Sequence, residues 1–330
     1  MFSFNPTPTL MYIPVDSGVL PVHAWQQTPD ASNITHLSLF IHGIDRKIMD
    51  PFVPFNVDQR QDQVQQDMLA IWAPLFPYNT SSSSSDDSAE TADTLLTWKR
   101  GASYAQDAPS TSIPTTTSFH VLDTLIDTAI TRFPSLKSIH LVGFSAGAQF
   151  VNRYAALSTH LETVARAVRV KLVFGTSSSW LYLDSRRVLQ DENTPLPTCD
   201  TQIPQASFQT PTESEAPRKF NAWKYGLENA PTSDSDATIT SRFLAYNMVF
   251  IYVVDDDQPG DSLDVTDACL VQGGGTSRYA RMCVYVQYLR TCWNKVVGLE
   301  TVVVDGCGHD ARKVYSQAAV QRLVYSAGAV

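Results

Sequence analysis

No run in this 330-residue chain is long and apolar enough to span a bilayer, so a membrane-spanning helix is not expected. Basic residues are in the minority: 24 Lys and Arg stand against 33 Asp and Glu, a formal net charge of −9. That balance argues against nucleic acid or an anionic membrane surface as a partner. There is no internal repeat and no glycine loop placed to cradle a phosphate, because Gly273-Gly274-Gly275 does not follow a predicted strand. The acidic stretch from Asp255 to Asp261 lacks the ligand spacing of an EF-hand, so no metal is expected there, and no organic cofactor is implied. Met1 to Pro8 has neither a basic start nor an apolar core, so no signal peptide is visible in this sequence. The sequons at Asn33 and Asn79 carry little weight against that, and the compartment stays open.

Cysteine is scarce and odd in number. With five, at least one of Cys199, Cys269, Cys283, Cys292 and Cys307 lacks an intrachain partner. Cys199 with Cys269 is the expected pair, since both fall in predicted loops. Cys283 and Cys292 lie on one predicted helix and are expected to pack, and Cys307 reads as a loop-packing thiol.

What the chain does have is an alternation of strand and helix patterns along its whole length, with an ordinary apolar share of 43%. This predicts one α/β domain over 1–330, a mostly parallel central sheet flanked by helices. Two segments read as insertions. Residues 80–93 are low-complexity, polar and acidic. Residues 191–218 are rich in Pro, Thr, Gln and Ser and fall where a lid would sit. Trp180, Tyr182, Trp223 and Tyr225 flank that region; each is expected first as packing and second as cleft lining.

The most informative residues are Gly143-Phe144-Ser145-Ala146-Gly147. They follow an apolar run, Ser138 to Val142, and precede Gln149 to Leu157, whose apolar positions recur at helical spacing. A G-x-S-x-G pattern between strand and helix reads as a serine nucleophile on a strained turn, with glycines where a side chain would clash as the backbone doubles back. A serine needs a base and usually an acid, which in such a sheet come later in the chain as acid and then histidine. His309 meets the requirement on the loop Asp305-Gly306-Cys307-Gly308-His309-Asp310, after the predicted strand Leu299 to Val304 and before a helix-like run from Ala311 to Tyr325. His23, His36, His120, His140 and His160 read as structural or solvated. The acid follows the strand Asn247 to Val254, where Asp255-Asp256-Asp257 offers three choices. Two or three residues of loop are normally needed to reach beneath the histidine, so Asp257 is expected, then Asp256, then Asp255. A strand from Leu37 to Ile41 ends in His42-Gly43-Ile44, which predicts oxyanion donors at the backbone N–H groups of Ile44 and Ala146, with His42 shaping the loop.

On these residues the chain resembles a serine hydrolase of the α/β-hydrolase superfamily, and more narrowly a group of microbial and fungal hydrolase-like proteins. The resemblance also runs through Trp98-Lys99-Arg100-Gly101, Ser118 to Asp123, Ser177 to Leu183, Trp223 to Leu227, and Leu263-Asp264 with Cys269. Relatives carry a Gly-Glu-x-Asp turn where this chain has Val254-Asp255-Asp256-Asp257. Pairing the last positions puts Asp257 on the family's acid, whereas a shift by one would put Gln258 there. The resemblance implies the α/β-hydrolase fold and cleavage of a small-molecule carboxylic ester through an acyl-enzyme on Ser145. Amide or thioester cleavage is the near alternative, and a non-catalytic small-molecule receptor on the same fold is the alternative of a different class.

Overall fold

The computed structural model describes residues 2–57, 68–78, 94–188, 197–200, 202–212, 219–256 and 277–325. Eight strands make the central sheet: β1 (Thr9–Val15), β2 (Gly18–Gln26), β3 (His36–Ile41), β4 (Leu69–Pro74), β5 (Ser138–Gly143), β6 (Arg169–Phe174), β7 (Asn247–Val253) and β8 (Leu299–Val304). Their spatial order is β8-β7-β6-β5-β3-β4-β2-β1. The pairs β1–β2 and β2–β4 are antiparallel, and every other neighbouring pair is parallel.

Parallel neighbours need long crossovers. These are α1 (Ser118–Arg132) before β5, α2 (Ala146–Leu157) and α3 (Thr159–Val164) before β6, α4 (Asp236–Ala245) before β7, and α5 (Arg278–Trp293) before β8. Short polar side chains start several of them: Thr117, Ser235 and Ser277 each accept an N–H in the first turn of α1, α4 and α5, a cap worth about 1 kcal/mol.

β3, β5 and β6 read as near-continuous apolar runs because helices cover both their faces. Leu37, Leu39, Ile41, Ile139 and Leu141 pack one way, with Val121, Leu125, Phe150, Tyr154 and Tyr285 of the helices. Phe40, Val142, Val173 and Ile251 pack the other way, with Val314, Tyr315, Val320 and Val324. The period of two along each strand thus divides the side chains between two cores.

The sequence predicts one helix from Ala311 to Tyr325. The chain instead forms α6 (Ala311–Tyr315) and α7 (Ala318–Val324), because Gln317 adopts an extended backbone, φ −71° and ψ 129°. The disulfide also differs from expectation. Cys199 is bonded to Cys283 of α5, with Cα atoms 4.7 Å apart. The pair expected, Cys199 with Cys269, is therefore corrected, and Cys269 itself lies outside the described residues. Cys283 was expected to pack on its helix; α5 is buried on nearly all sides, so its sequence carries no stripe to say which cysteine faces a loop. Cys292 and Cys307 are free thiols.

Within the region expected to form a lid, the described residues include a short ribbon of Arg187–Val188 with Phe208–Gln209. Trp180 and Tyr182 are core residues: Trp180 stacks on Tyr285 at 4.9 Å and Tyr182 lies 4.7 Å from Tyr288. Residues 80–93 are outside the description. Among the described residues no helix is long and apolar enough to cross a membrane.

The strand order sets the place of the site. From β3 the chain goes to β4 on one side and then crosses to β5 on the other, so the crossovers diverge about β3 and β5. A crevice beyond the carboxyl ends of the strands follows from that reversal. Residues 42–44, 145, 176, 255–256 and 305–309 all lie just past strand carboxyl ends.

Candidate active site

Ser145 sits between the last residues of β5 and the first of α2 with φ 57° and ψ −121°. A positive φ in a residue with a side chain stores strain on the order of 1–3 kcal/mol, so the surroundings must hold it. The Ser145 N–H donates to the Thr176 carbonyl at 2.8 Å, and the Gly147 N–H donates to the Phe144 carbonyl at 2.9 Å. The flanking glycines are obligatory on space. A Cβ on Gly143 would lie 2.2 Å from the Gly147 oxygen, and one on Gly147 would lie 2.0 Å from the Ile41 oxygen. The turn is tight because α2, β5 and the end of β3 meet backbone to backbone.

His309 reaches this serine from the loop after β8. Its Nε2 is 3.0 Å from Ser145 Oγ, and its Nδ1 is 2.7 Å from Asp256 Oδ2. A carboxylate only accepts, so Nδ1 carries the proton and Nε2 is left to accept from the serine hydroxyl. The ring is 23% exposed while the Asp256 side chain is 0% exposed, so the line of contacts runs from solvent inward. The ring also packs against Phe144, centroid to centroid 4.9 Å.

The carboxylate on Nδ1 is Asp256, one residue earlier than the Asp257 expected from the sequence. Asp257 lies outside the described residues. Asp256 is reached within a single tight turn, its N–H donating to the Val253 carbonyl at 3.1 Å, so the longer loop assumed in the sequence reading is not needed. Burial works to raise the Asp256 pKa. The hydrogen bond and charge of His309, the hydroxyl of Thr176 and the charge of Arg278 outweigh it, and hold the carboxyl below its ordinary value. Thr176 Oγ1 donates to Asp256 Oδ2, and Arg278 lies 3.5 Å from Oδ1.

Asp255 does something different. Its carboxylate accepts the N–H of Gly308 at 2.8 Å and of Cys307 at 3.3 Å. Consecutive aspartates thus take the backbone and the ring of the same histidine loop, in which Gly306 and Gly308 have φ of 70° and 55°.

The loop after β3 passes against the serine: a Cβ on Gly43 would be 3.4 Å from Ser145 Cβ. His42 shapes it. Its Nε2 accepts the Phe76 N–H at 3.0 Å, which puts the proton on Nδ1, and Nδ1 donates to the Gly43 carbonyl at 2.7 Å. Burial first, and then the charge of Arg46, lower the His42 pKa to about 4, so the ring is neutral and serves as a strut. The Gly43 oxygen also receives the Arg46 N–H at 3.1 Å, and the Tyr104 hydroxyl lies 3.0 Å from it and 2.8 Å from the His42 oxygen. In a trans peptide the next N–H points opposite to its carbonyl. These donors therefore fix the direction of the Ile44 N–H. Among the described residues, no acceptor takes the N–H of Ile44 or of Ala146. No cluster of three or more His, Cys, Asp or Glu side chains suited to a metal occurs among the described residues.

No protein-family model matches the chain, and no curated protein matches it in sequence. Solved structures do match it. The poly(3-hydroxybutyrate) depolymerase LpqC from Bordetella parapertussis is 16% identical, with a TM-score of 0.56 over 96% of this chain and 89% of that one. Poly(aspartic acid) hydrolase-1 from Sphingomonas sp. KT-1 is 17% identical, with a TM-score of 0.57 over 97% and 99%.

The fold is that of the α/β-hydrolases.

Thr176, Arg278, Tyr104 and the loop-holding contacts of Asp255 were not anticipated from the sequence. Thr176 left a signal: a polar run, Thr176-Ser177-Ser178-Ser179, directly follows a buried strand at the carboxyl edge of the α/β-hydrolase sheet. Arg278 and Tyr104 left none, since their contacts join distant parts of the chain.

Proposed function

We propose that this protein is a serine hydrolase that cleaves a carboxylic ester through an acyl-enzyme on Ser145. The observation that carries the reading is the unbroken line Asp256–His309–Ser145, at 2.7 and 3.0 Å. As Ser145 Oγ attacks the ester carbonyl carbon, its proton passes to His309 Nε2. The charge that forms on the ring is met by Asp256, already ionised and buried. The charge that forms on the carbonyl oxygen is met by the N–H groups of Ile44 and Ala146, which are held in place before substrate arrives. Collapse of the tetrahedral intermediate breaks the bond to the alkoxide leaving group, which takes the proton back from Nε2. Water then repeats the sequence on the acyl-enzyme and releases the acid.

The names of the two similar structures, a depolymerase and a hydrolase, accord with hydrolysis. The partly exposed ring of His309 accords with access by a small molecule.

The test is labelling with a fluorophosphonate probe and mass mapping of the adduct, with Ser145→Ala in parallel, followed by turnover of a panel of p-nitrophenyl esters. One adduct on Ser145, absent in the variant, together with ester turnover is the expected result. Folded protein that takes no adduct on Ser145 would overturn the reading.

A further inference from the structure

We infer that Thr176 is a positioning residue that sets the basicity of His309 by sharing the carboxylate oxygen on which the imidazole rests. The inference builds on the hydrolase reading above. Thr176 is fully buried and lies against all three members of the line. Its carbonyl accepts the Ser145 N–H at 2.8 Å. Its hydroxyl donates to Asp256 Oδ2, the same oxygen that receives His309 Nδ1–H, and lies 3.4 Å from that Nδ1. The residue is itself anchored, since the Gly175 N–H donates to the Gly143 carbonyl at 2.8 Å. A Cβ on Gly175 would lie 2.4 Å from the Phe144 ring, so the segment is pressed onto the nucleophile turn.

A hydroxyl has one proton, and here it is committed to Oδ2. A second donor on that oxygen stabilises the carboxylate charge and draws density away from the bond to Nδ1. The proton therefore stays on the imidazole, and the carboxylate stabilises the imidazolium less than it would alone. Arg278 acts on the other oxygen at 3.5 Å and cannot replace this effect on Oδ2. Without the hydroxyl, Asp256 would hold the imidazolium more tightly, and His309 would become a base only at higher pH. The β-branched side chain also restricts the hydroxyl to few rotamers, which keeps the donor aimed.

The experiment measures the second-order rate of fluorophosphonate labelling against pH for wild type, Thr176→Val, Thr176→Ser and Ser145→Ala. Valine matches threonine in shape and removes the donor; Thr176→Ala carries the same expectation if valine is not accommodated. The expected result is a midpoint raised by about one pH unit in Thr176→Val, with a plateau raised about threefold as the base becomes stronger. Thr176→Ser, which keeps the hydroxyl, should return both to within about twofold of wild type. A Thr176→Val profile that superimposes on wild type overturns the inference. So does a loss of labelling rate in both Thr176→Val and Thr176→Ser with no shift in midpoint, since that marks sensitivity to packing alone. Absence of Ser145 labelling in wild type is a separate failure: it removes the hydrolase reading and this inference with it.

Discussion

Acid should unfold this protein through a histidine remote from the site. His36 lies in β3, fully buried, with Nδ1 2.8 Å from Ser138 Oγ and Nε2 3.1 Å from Ser38 Oγ. The ring of His140 meets it edge-on at 4.2 Å. Burial first, and then the charges of Lys171 and Arg169, lower its pKa from 6.5 to about 3, although bonds to the backbone oppose this. The unfolded chain therefore binds one more proton than the folded chain between those two values. Stability from this group is complete above pH 6.5 and drains away as pH falls toward 3. At pH 4.5, two units below the unfolded value, the loss is about 3 kcal/mol, at 1.36 kcal/mol per unit. That is a large part of the 5–15 kcal/mol typical of a folded domain, at roughly that range. Urea unfolding of wild type and His36→Gln at pH 7.5, 6.5, 5.5 and 4.5 would isolate the effect, because titrating groups not in contact with His36 cancel in the difference. Wild type should lose about 3 kcal/mol more than the variant between pH 7.5 and 4.5. Parallel losses would show that His36 is not held neutral, and the burial argument would fail.

Other outcomes follow from the site and its frame. Asp256→Asn should lower ester turnover by about 10³–10⁴-fold with a folded far-UV spectrum, through loss of the tautomer and charge support of His309. In the same assay Asp257→Ala should stay within about threefold of wild type; the reverse pattern would refute the assignment of the acid. Gly147→Ala forces a Cβ to 2.0 Å from the Ile41 oxygen. It should cost about 3 kcal/mol or more in denaturant midpoint measurements, and a variant as stable as wild type would contradict the close approach. Replacing Cys199 and Cys283 by Ser opens a loop of 84 residues in the unfolded chain. Chain entropy puts the loss at about 4.5 kcal/mol, read as a drop in urea midpoint that reductant reproduces in wild type.

Ser145, His309 and the parallel sheet were legible because each rests on a short local pattern. A buried strand leaves a run of apolar residues, and the turn at Ser145 demands glycine at two positions where backbones nearly touch. A histidine on a glycine-bearing loop after a strand is a local pattern too. Which carboxylate meets His309 was not legible. Asp255, Asp256 and Asp257 are chemically alike, and the choice between them turns on one tight turn, Asp256 N–H to Val253, and on partners 80, 22 and 53 residues away: Thr176, Arg278 and His309. The disulfide failed for the same reason, since Cys199 and Cys283 are 84 residues apart on elements whose docking no periodicity records.

Composition, periodicity and glycine placement thus determined the class of fold, the strained serine and the histidine that faces it, because these follow from backbone sterics and burial within a few residues. Tertiary structure alone decided which carboxylate is driven inward, which hydroxyl shares it, and how Tyr104, His42 and Arg46 aim the peptide before Ile44. Those are hydrogen bonds across strand ends, and their geometry exists only once the sheet has brought the ends of five strands to one edge.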